Sequence, residues 1–212
     1  MSHPHRVLWN GSRSGPGHCQ KPYDMNLVLA MDAATLALVK EAQGSAFAYV
    51  QSDEISVLLT DFATIQTDAW FDGNVQKIAS VAASVATAAF NAAYAGYQGA
   101  MPAHFDARVF TIPDAVEVAN YFVWRQQDAT RNSIQGLGQA HFSAKQLHGV
   151  NNAEMQELLF REKGINWNDR PTEEKRGRCA VYEDMGWRID REIPVFTQQR
   201  DWLTDRIPRI PA

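Results

Sequence analysis

Cysteine is nearly absent from this chain. Cys19 and Cys179 are far apart, and neither sits in a Cys-x-x-Cys pattern. That argues against a disulfide scaffold or a thiolate zinc site and fits a reducing interior. Long hydrophobic runs are missing too. The longest, residues 78–89, is rich in alanine, holds Ser80, Ser84 and Thr87, and reads as a buried helix, with no membrane span. No apolar stretch of signal-peptide type opens the sequence, so the expected location is the cytoplasm. Positive charge is also short: 20 Lys and Arg stand against 24 Asp and Glu, a net charge of −4. A basic coat for nucleic acid is excluded, and any RNA contact has to come from a local patch or from metal ions that neutralise phosphate. The six histidines show no zinc-protease spacing. His3 and His5 sit in a loose tail, and His104, His141 and His148 are scattered.

What remains is an ordinary globular composition, 45% hydrophobic and 21% charged over 212 residues. A single domain of this size buries roughly 70% of its unfolded surface. Residues 1–20, with Gly11-Ser12-Arg13-Ser14-Gly15-Pro16-Gly17, form a divergent irregular segment with a short strand near residues 6–9. Pro22 and Asp24 begin a helix of about twenty residues that Gly44 stops. Residues 46–50 and 55–60 read as two strands around a tight acidic turn. A second helix runs over 74–96, with Ala79, Ala82, Ala83 and Ala86 allowing close packing on a sheet. A strand over 105–112 follows. Pro113-Asp114 then starts a helix to about residue 137, with a break near Asp128. Residues 142–148 and 152–163 read as short helices, and 175–182 with 187–196 as a final hairpin. The tail, 206–212, holds two prolines and reads as loose.

With a strand ahead of the first helix the order becomes βαββαβ, the ferredoxin-like plan of polymerase palms and nucleotidyl cyclases. The fold class expected is α+β: an antiparallel palm sheet with helices packed on one face, plus C-terminal helices and a hairpin. Residues 21–140 are the palm-like catalytic part. Residues 141–212 are an extension packed on the same domain.

The chemistry concentrates at Ser52-Asp53-Glu54. Adjacent carboxylates at a hairpin tip suit magnesium, which takes one or two protein carboxylates plus phosphate oxygens. Two such ions can clamp the attacking and leaving oxygens of phosphoryl transfer. Turn chemistry alone also places Asp and Glu at such a tip. Lys77, at a helix start, can serve as a point charge on phosphate or simply be a solvated lysine. Arg108 can face a phosphate or pair with Asp106. Arg125, Asp128 and Arg131 stack on one helical face, as a structural ladder or as an RNA contact. Lys175, Arg176 and Arg178 form the densest basic cluster, though Glu173 and Glu174 lie beside it. Trp70, Phe71, Tyr121 and Trp124 fall at core-like positions.

Several stretches, in one order, resemble the tRNA-His guanylyltransferase family. They are Lys21-Pro22-Tyr23-Asp24, Tyr49-Val50-Gln51-Ser52-Asp53-Glu54-Ile55-Ser56-Val57-Leu58-Leu59, Asp68-Ala69-Trp70-Phe71-Asp72-Gly73-Asn74-Val75-Gln76-Lys77-Ile78, Phe105-Asp106-Ala107-Arg108-Val109, Tyr121-Phe122-Val123-Trp124-Arg125-Gln126-Gln127-Asp128-Ala129-Thr130-Arg131-Asn132, Glu157-Leu158-Leu159-Phe160 and Lys175-Arg176-Gly177-Arg178. Together they cover about residues 20–182. The resemblance implies a palm-like nucleotidyltransferase that activates a tRNA 5′ end and adds a nucleotide in the 3′→5′ direction. GTP or ATP would be substrates, two Mg²⁺ ions the cofactors, tRNA the partner and a homotetramer the assembly. Asp53 matches the metal carboxylate, and Asp53 with Glu54 the catalytic pair. Lys21, Asp24, Ser52, Lys77 and Arg108 match nucleotide-binding positions. Arg125, Arg131, Asn132, Lys175 and Arg178 are the tRNA-binding candidates. Thr130 stands where eukaryotic members carry histidine, a form more like the bacterial and archaeal branch, which favours repair of 5′-truncated tRNAs.

One departure is abrupt. The family opens with a strand ending in Asp-Gly-Arg, whose Asp is the other metal carboxylate, and this chain has Leu8-Trp9-Asn10-Gly11 there. A shifted reading frame or misassigned start over the first eighteen or so residues is one expectation. A relative that binds tRNA or nucleotide with impaired catalysis is another. A palm-type nucleotidyl cyclase is a third reading, opposed by the long helix through residues 120–132.

Overall fold

The computed structural model describes residues 5–12, 20–62, 66–97 and 99–209. The strands β1 (His5–Ser12), β2 (Ser45–Gln51), β3 (Glu54–Leu59), β4 (Phe105–Ile112), β5 (Arg178–Glu183) and β6 (Gly186–Asp190) make one sheet, in the order β4-β1-β3-β2-β5-β6. Every neighbouring pair is antiparallel. The helices are α1 (Met25–Glu41), α2 (Val75–Tyr94), α3 (Ala115–His141), α4 (Asn152–Lys163), α5 (Thr172–Arg176) and α6 (Arg200–Thr204). The first four strands with α1 and α2 complete βαββαβ, and the β5–β6 hairpin extends the sheet beyond β2.

Residues 5–12, read from the sequence as part of an irregular segment, form a strand inside the sheet. Val7 and Leu8 are fully buried between β3 and β4. His5 is buried as well, its ring bonded to the Pro208 carbonyl at 2.8 Å, so residues 206–208 are held and not loose. Cys19, His3 and residues 210–212 lie outside the described residues.

Strand alternation decides what each face of the sheet meets. Leu8, Ala48, Val50, Ile55 and Val57 face one side, where α1 and α2 pack through Met31, Leu38, Ile78, Ala82 and Phe90. Val7, Phe47, Tyr49, Leu58 and Cys179 face the other, under Val118 and Phe122 of α3 and Phe196 and Leu203 of the C-terminal segment. The two crossover helices thus share one face as expected, while α3 covers the second. A smaller cluster of Ile134, Leu137, Met155 and Leu159 joins the far half of α3 to α4.

Local chemistry sets the ends of these elements. Asp24, Asn74 and Asp114 cap α1, α2 and α3 through their side chains. Asn151 and Glu154 form a capping box on α4, and left-handed Gly164 closes it. The expected break near Asp128 is absent. Its carboxylate is engaged by Arg131 and Asn132 on the next turn, so it does not compete for backbone groups. Residues 142–148 are turns, not a helix, with Ser143 bonded to Gln146. The chain over 172–176 is helical, so the strand expected from 175 starts at Arg178. β6 ends at Asp190, four residues ahead of Pro194. Among the described residues no helix is long and apolar enough to cross a membrane.

Gly44 is needed between α1 and β2. Its φ is 79°, and an added Cβ would collide with the Thr60 carbonyl oxygen. Gly44→Ala is expected to cost about 1–3 kcal/mol, the usual penalty for forced left-handed backbone. Urea denaturation followed by circular dichroism measures it.

Candidate active site

The β2–β3 hairpin pairs Gln51 with Glu54, leaving Ser52-Asp53 as its tip. Ser52 takes a positive φ of 47° there and is exposed. The two carboxylates then part. Glu54 pairs across β1 with Gly11 and turns to the α3 side, where Arg125 forms an ion pair with it and the Gln51 amide donates to it at 3.0 Å. Asp53 stays in the turn, two residues ahead of Ile55, which pairs with Asn10. Among the described residues Asp53 makes no hydrogen bond or ion pair.

Beside this tip lies a cavity of about 290 Å³. The segment leading into α1 supplies Gln20, Lys21 and Asp24, and the hairpin supplies Gln51 and Ser52. The second half of α3 supplies Asn132, Ser133 and Gly136. The chain from Trp167 through Arg170 and Glu174 to Arg178 closes the far wall. Three of the five predicted nucleotide residues, Lys21, Asp24 and Ser52, therefore meet at one cavity. Lys21 is exposed, where its ammonium can act as a point charge. Asp24 is 7% exposed and accepts from the backbone N–H groups of Gln20, Asn26 and Leu27, so it shapes this wall as a helix cap. Ser133, Gly136, Trp167 and Arg170 were not legible as site residues, since each reaches the cavity from an element distant in sequence.

Lys77 and Arg108 fall elsewhere. α2 starts beside Arg6, because Gly73 lies against the Arg6 guanidinium. Arg6 pairs with Leu59, whereas Gly11 pairs with Glu54 at the other end of β3. Lys77 is thus at the opposite end of the sheet from Asp53, roughly 17 Å along the strands at ~3.4 Å per residue. Its ammonium lies 4.4 Å from the Phe71 ring centre. Arg108 pairs with Trp9 and stacks over its ring at 5.0 Å, on the α3 side of the sheet.

The tRNA candidates divide likewise. Arg178 is 1% exposed, ion-paired with Asp32, and donates to the Val28 carbonyl at 3.0 Å. It is a buried anchor between α1 and β5, its guanidinium taken up by internal partners although its chain also lines the cavity. Arg191 completes the network by bridging Asp32 and Glu173. Arg125 is also buried and committed to Glu54. Burial lowers its pKa, while Asp128, 3.8 Å away, opposes that shift. Arg131 is exposed and pairs with Asp128; Asn132 is exposed and lines the cavity. Lys175 donates to the Asn168 carbonyl at 2.6 Å. Trp124, read as core, is 53% exposed, with the Arg125 guanidinium 4.9 Å from its ring.

Arg125 fixes one side of the acidic tip to α3. Arg125→Met is expected to lower stability by about 2 kcal/mol, the scale of a charged hydrogen bond lost from a mostly buried site. A thermal melt measures it. A change below about 0.5 kcal/mol would show that the pair is not holding the hairpin.

The donor set limits what metal could bind. Among the described residues no three His, Cys, Asp or Glu side chains gather as a metal site. Glu54 is bound by Arg125 and Asp24 by three N–H groups. Asn10, opposite Ile55 at the tip end of β1, is fully buried, and neither its Oδ1 nor its Nδ2 has a hydrogen-bond partner. These residues fit one magnesium held through Asp53 and completed by phosphate oxygens. They do not fit a pair of ions held by protein carboxylates.

A family model described as tRNAHis guanylyltransferase matches residues 14–113. A solved structure, "Bacterial tRNA(HIS) Guanylyltransferase (Thg1)-Like Protein in complex with ATP", is 39% identical to the chain with a TM-score of 0.90. It covers 98% of this chain and 91% of its own. A bacterial protein of the same description in complex with GTP is 37% identical, with a TM-score of 0.80, covering 98% and 90%. A probable tRNA(His) guanylyltransferase of Drosophila melanogaster is 30% identical over 176 residues, 76% of this chain and 59% of the fly protein. The chain thus spans about three-fifths of the length of that animal relative.

Proposed function

This chain belongs to the tRNA-His guanylyltransferase family, and from that premise we propose that it is a nucleotidyltransferase adding nucleotides to tRNA 5′ ends in the 3′→5′ direction. The observation that carries this reading is the cavity beside the Ser52-Asp53 tip, where the Ser52 hydroxyl, the exposed Lys21 and polar groups of α3 converge, next to an Asp53 carboxylate that has no hydrogen bond or ion pair among the described residues. Similarity to bacterial proteins solved with ATP and with GTP supports a purine nucleoside triphosphate as its occupant.

The roles follow from the chemistry of each group. The Asp53 carboxylate holds the metal–triphosphate by charge. When bound, magnesium neutralises the phosphate oxygens and makes the transferred phosphorus more electrophilic. Lys21 adds positive charge at the cavity rim, and the Ser52 hydroxyl and Asn132 amide offer hydrogen bonds. Glu54 and Arg125 keep the tip in place, which matters because phosphoryl transfer is catalysed mainly by positioning and charge stabilisation. The exposed residues Arg131 and Asn132 on α3 remain the tRNA-facing candidates. Assembly as a homotetramer belongs to the same reading.

The test uses purified chain, Mg²⁺, labelled GTP and a tRNA lacking its first nucleotide. Extension by one or more nucleotides supports the proposal. Binding of tRNA without extension favours a second reading, a binding relative of reduced activity, for which Asn10 is the motivating observation. Cyclic or linear dinucleotide formed without tRNA overturns both.

A further inference from the structure

The mouth of β1 carries a feature that the proposed reaction does not use. Asn10 is fully buried in the second-from-edge strand, and its carboxamide has no partner at either end. A buried amide is ordinarily hydrogen bonded, and one that is not calls for an explanation, a bound ion or water among them. Register and alternation say which place this is. Asn10 stands opposite Ile55 and shares its face, two residues past the turn residue Asp53, at the tip end of the sheet. Trp9 and Glu54 belong to the other face, with Arg108 and Arg125.

We infer that Asn10 limits this chain to one divalent cation, held through Asp53, by placing a neutral amide where a second ion needs an anion. The inference rests on the nucleotide reading only in that the ion arrives with a triphosphate. Charge decides the count. One magnesium is balanced by Asp53 together with phosphate oxygens. A second dication beside it has to overcome repulsion from the first, and the available protein charge is then short by one. Glu54 cannot make up the difference, being committed to Arg125, and Asp24 is spent on the α1 cap.

The experiment counts Mn²⁺, used in place of Mg²⁺, bound per chain in the presence of a non-hydrolysable GTP analogue. Electron paramagnetic resonance and equilibrium dialysis give the count on the full chain without tRNA or turnover. The expected result is one ion for the wild type, one for Asn10→Ala and two for Asn10→Asp. Asp53→Asn is expected to weaken that one ion at least tenfold. Two ions of similar affinity on the wild type would overturn the inference, as would a folded Asn10→Asp variant that still takes one. Should Asn10→Asp fail to fold, judged by circular dichroism, the wild-type count and the Asp53→Asn loss decide. Failure of tRNA extension leaves the ion count intact, so it overturns the functional reading alone.

Discussion

Asp53→Asn is expected to reduce tRNA 5′-end extension by about 10²–10³-fold, the range seen when one preorganised charge-stabilising group is removed from an active site. Stability should hardly change. Asp53 is half-buried and makes no hydrogen bond or ion pair within the described residues, so the fold loses no polar partner when its charge goes. The pairing of these two results carries the information. A large loss of extension with an unchanged melt marks a group that acts on substrate. If the variant extended tRNA at wild-type rate, Asp53 would be an ordinary turn residue and the hairpin tip would not be the active centre.

Arg178→Met is expected to do the reverse. It removes the main partner of buried Asp32, leaving, among the described residues, Arg191, which is itself one-third exposed. Breaking a buried pair from one side costs about 3–5 kcal/mol. At about 2–4 °C per kcal/mol for a chain of this size, the melting temperature should fall by roughly 6–20 °C. The double variant Asp32→Leu/Arg178→Met should recover a large part, since the lone buried carboxylate is then gone as well. At temperatures where Arg178→Met is still folded, tRNA affinity should be unchanged. A selective loss of tRNA binding without loss of stability would return Arg178 to the RNA-facing set.

The contrast between Asp53 and Arg178 shows how far the sequence reaches. The acidic tip is legible because its neighbours in sequence are its neighbours in space: apolar alternation on both sides and a tight turn between. The α1–β2–β3–α2–β4 run is legible for the same reason, helix caps and strand periods being local. Arg178 looks like part of a basic cluster because its partner, Asp32, lies 146 residues away in sequence. Lys77 looks close to the acidic tip because it is close in sequence, yet β3 runs the length of the sheet before α2 begins. β1 is the hardest case. Its apolar residues are few and are followed at once by glycine, serine and proline, and only the unpaired edges of β3 and β4 explain why it is a strand. The cavity walls formed by Trp167 and Arg170 carry no local signal either.

The position of β1 also bears on how the chain acquires its shape. Its hydrogen-bond partners are residues 54–59 and 105–112, so Ser12 has to find Phe105 across a loop of about ninety residues. Pairings of such separation are entropically costly and slow to form. During synthesis β2, β3 and α2 are complete well before β4 exists, and for that interval β1 has at most one neighbour. The hairpin that bears Asp53 can form from local contacts, but the wall that carries Asn10 is finished only when residue 112 has left the ribosome. Refolding should therefore show two kinetic phases, with hairpin and helix signals appearing first. Burial of the Trp9 ring beneath Arg108, followed by fluorescence, would report the later one.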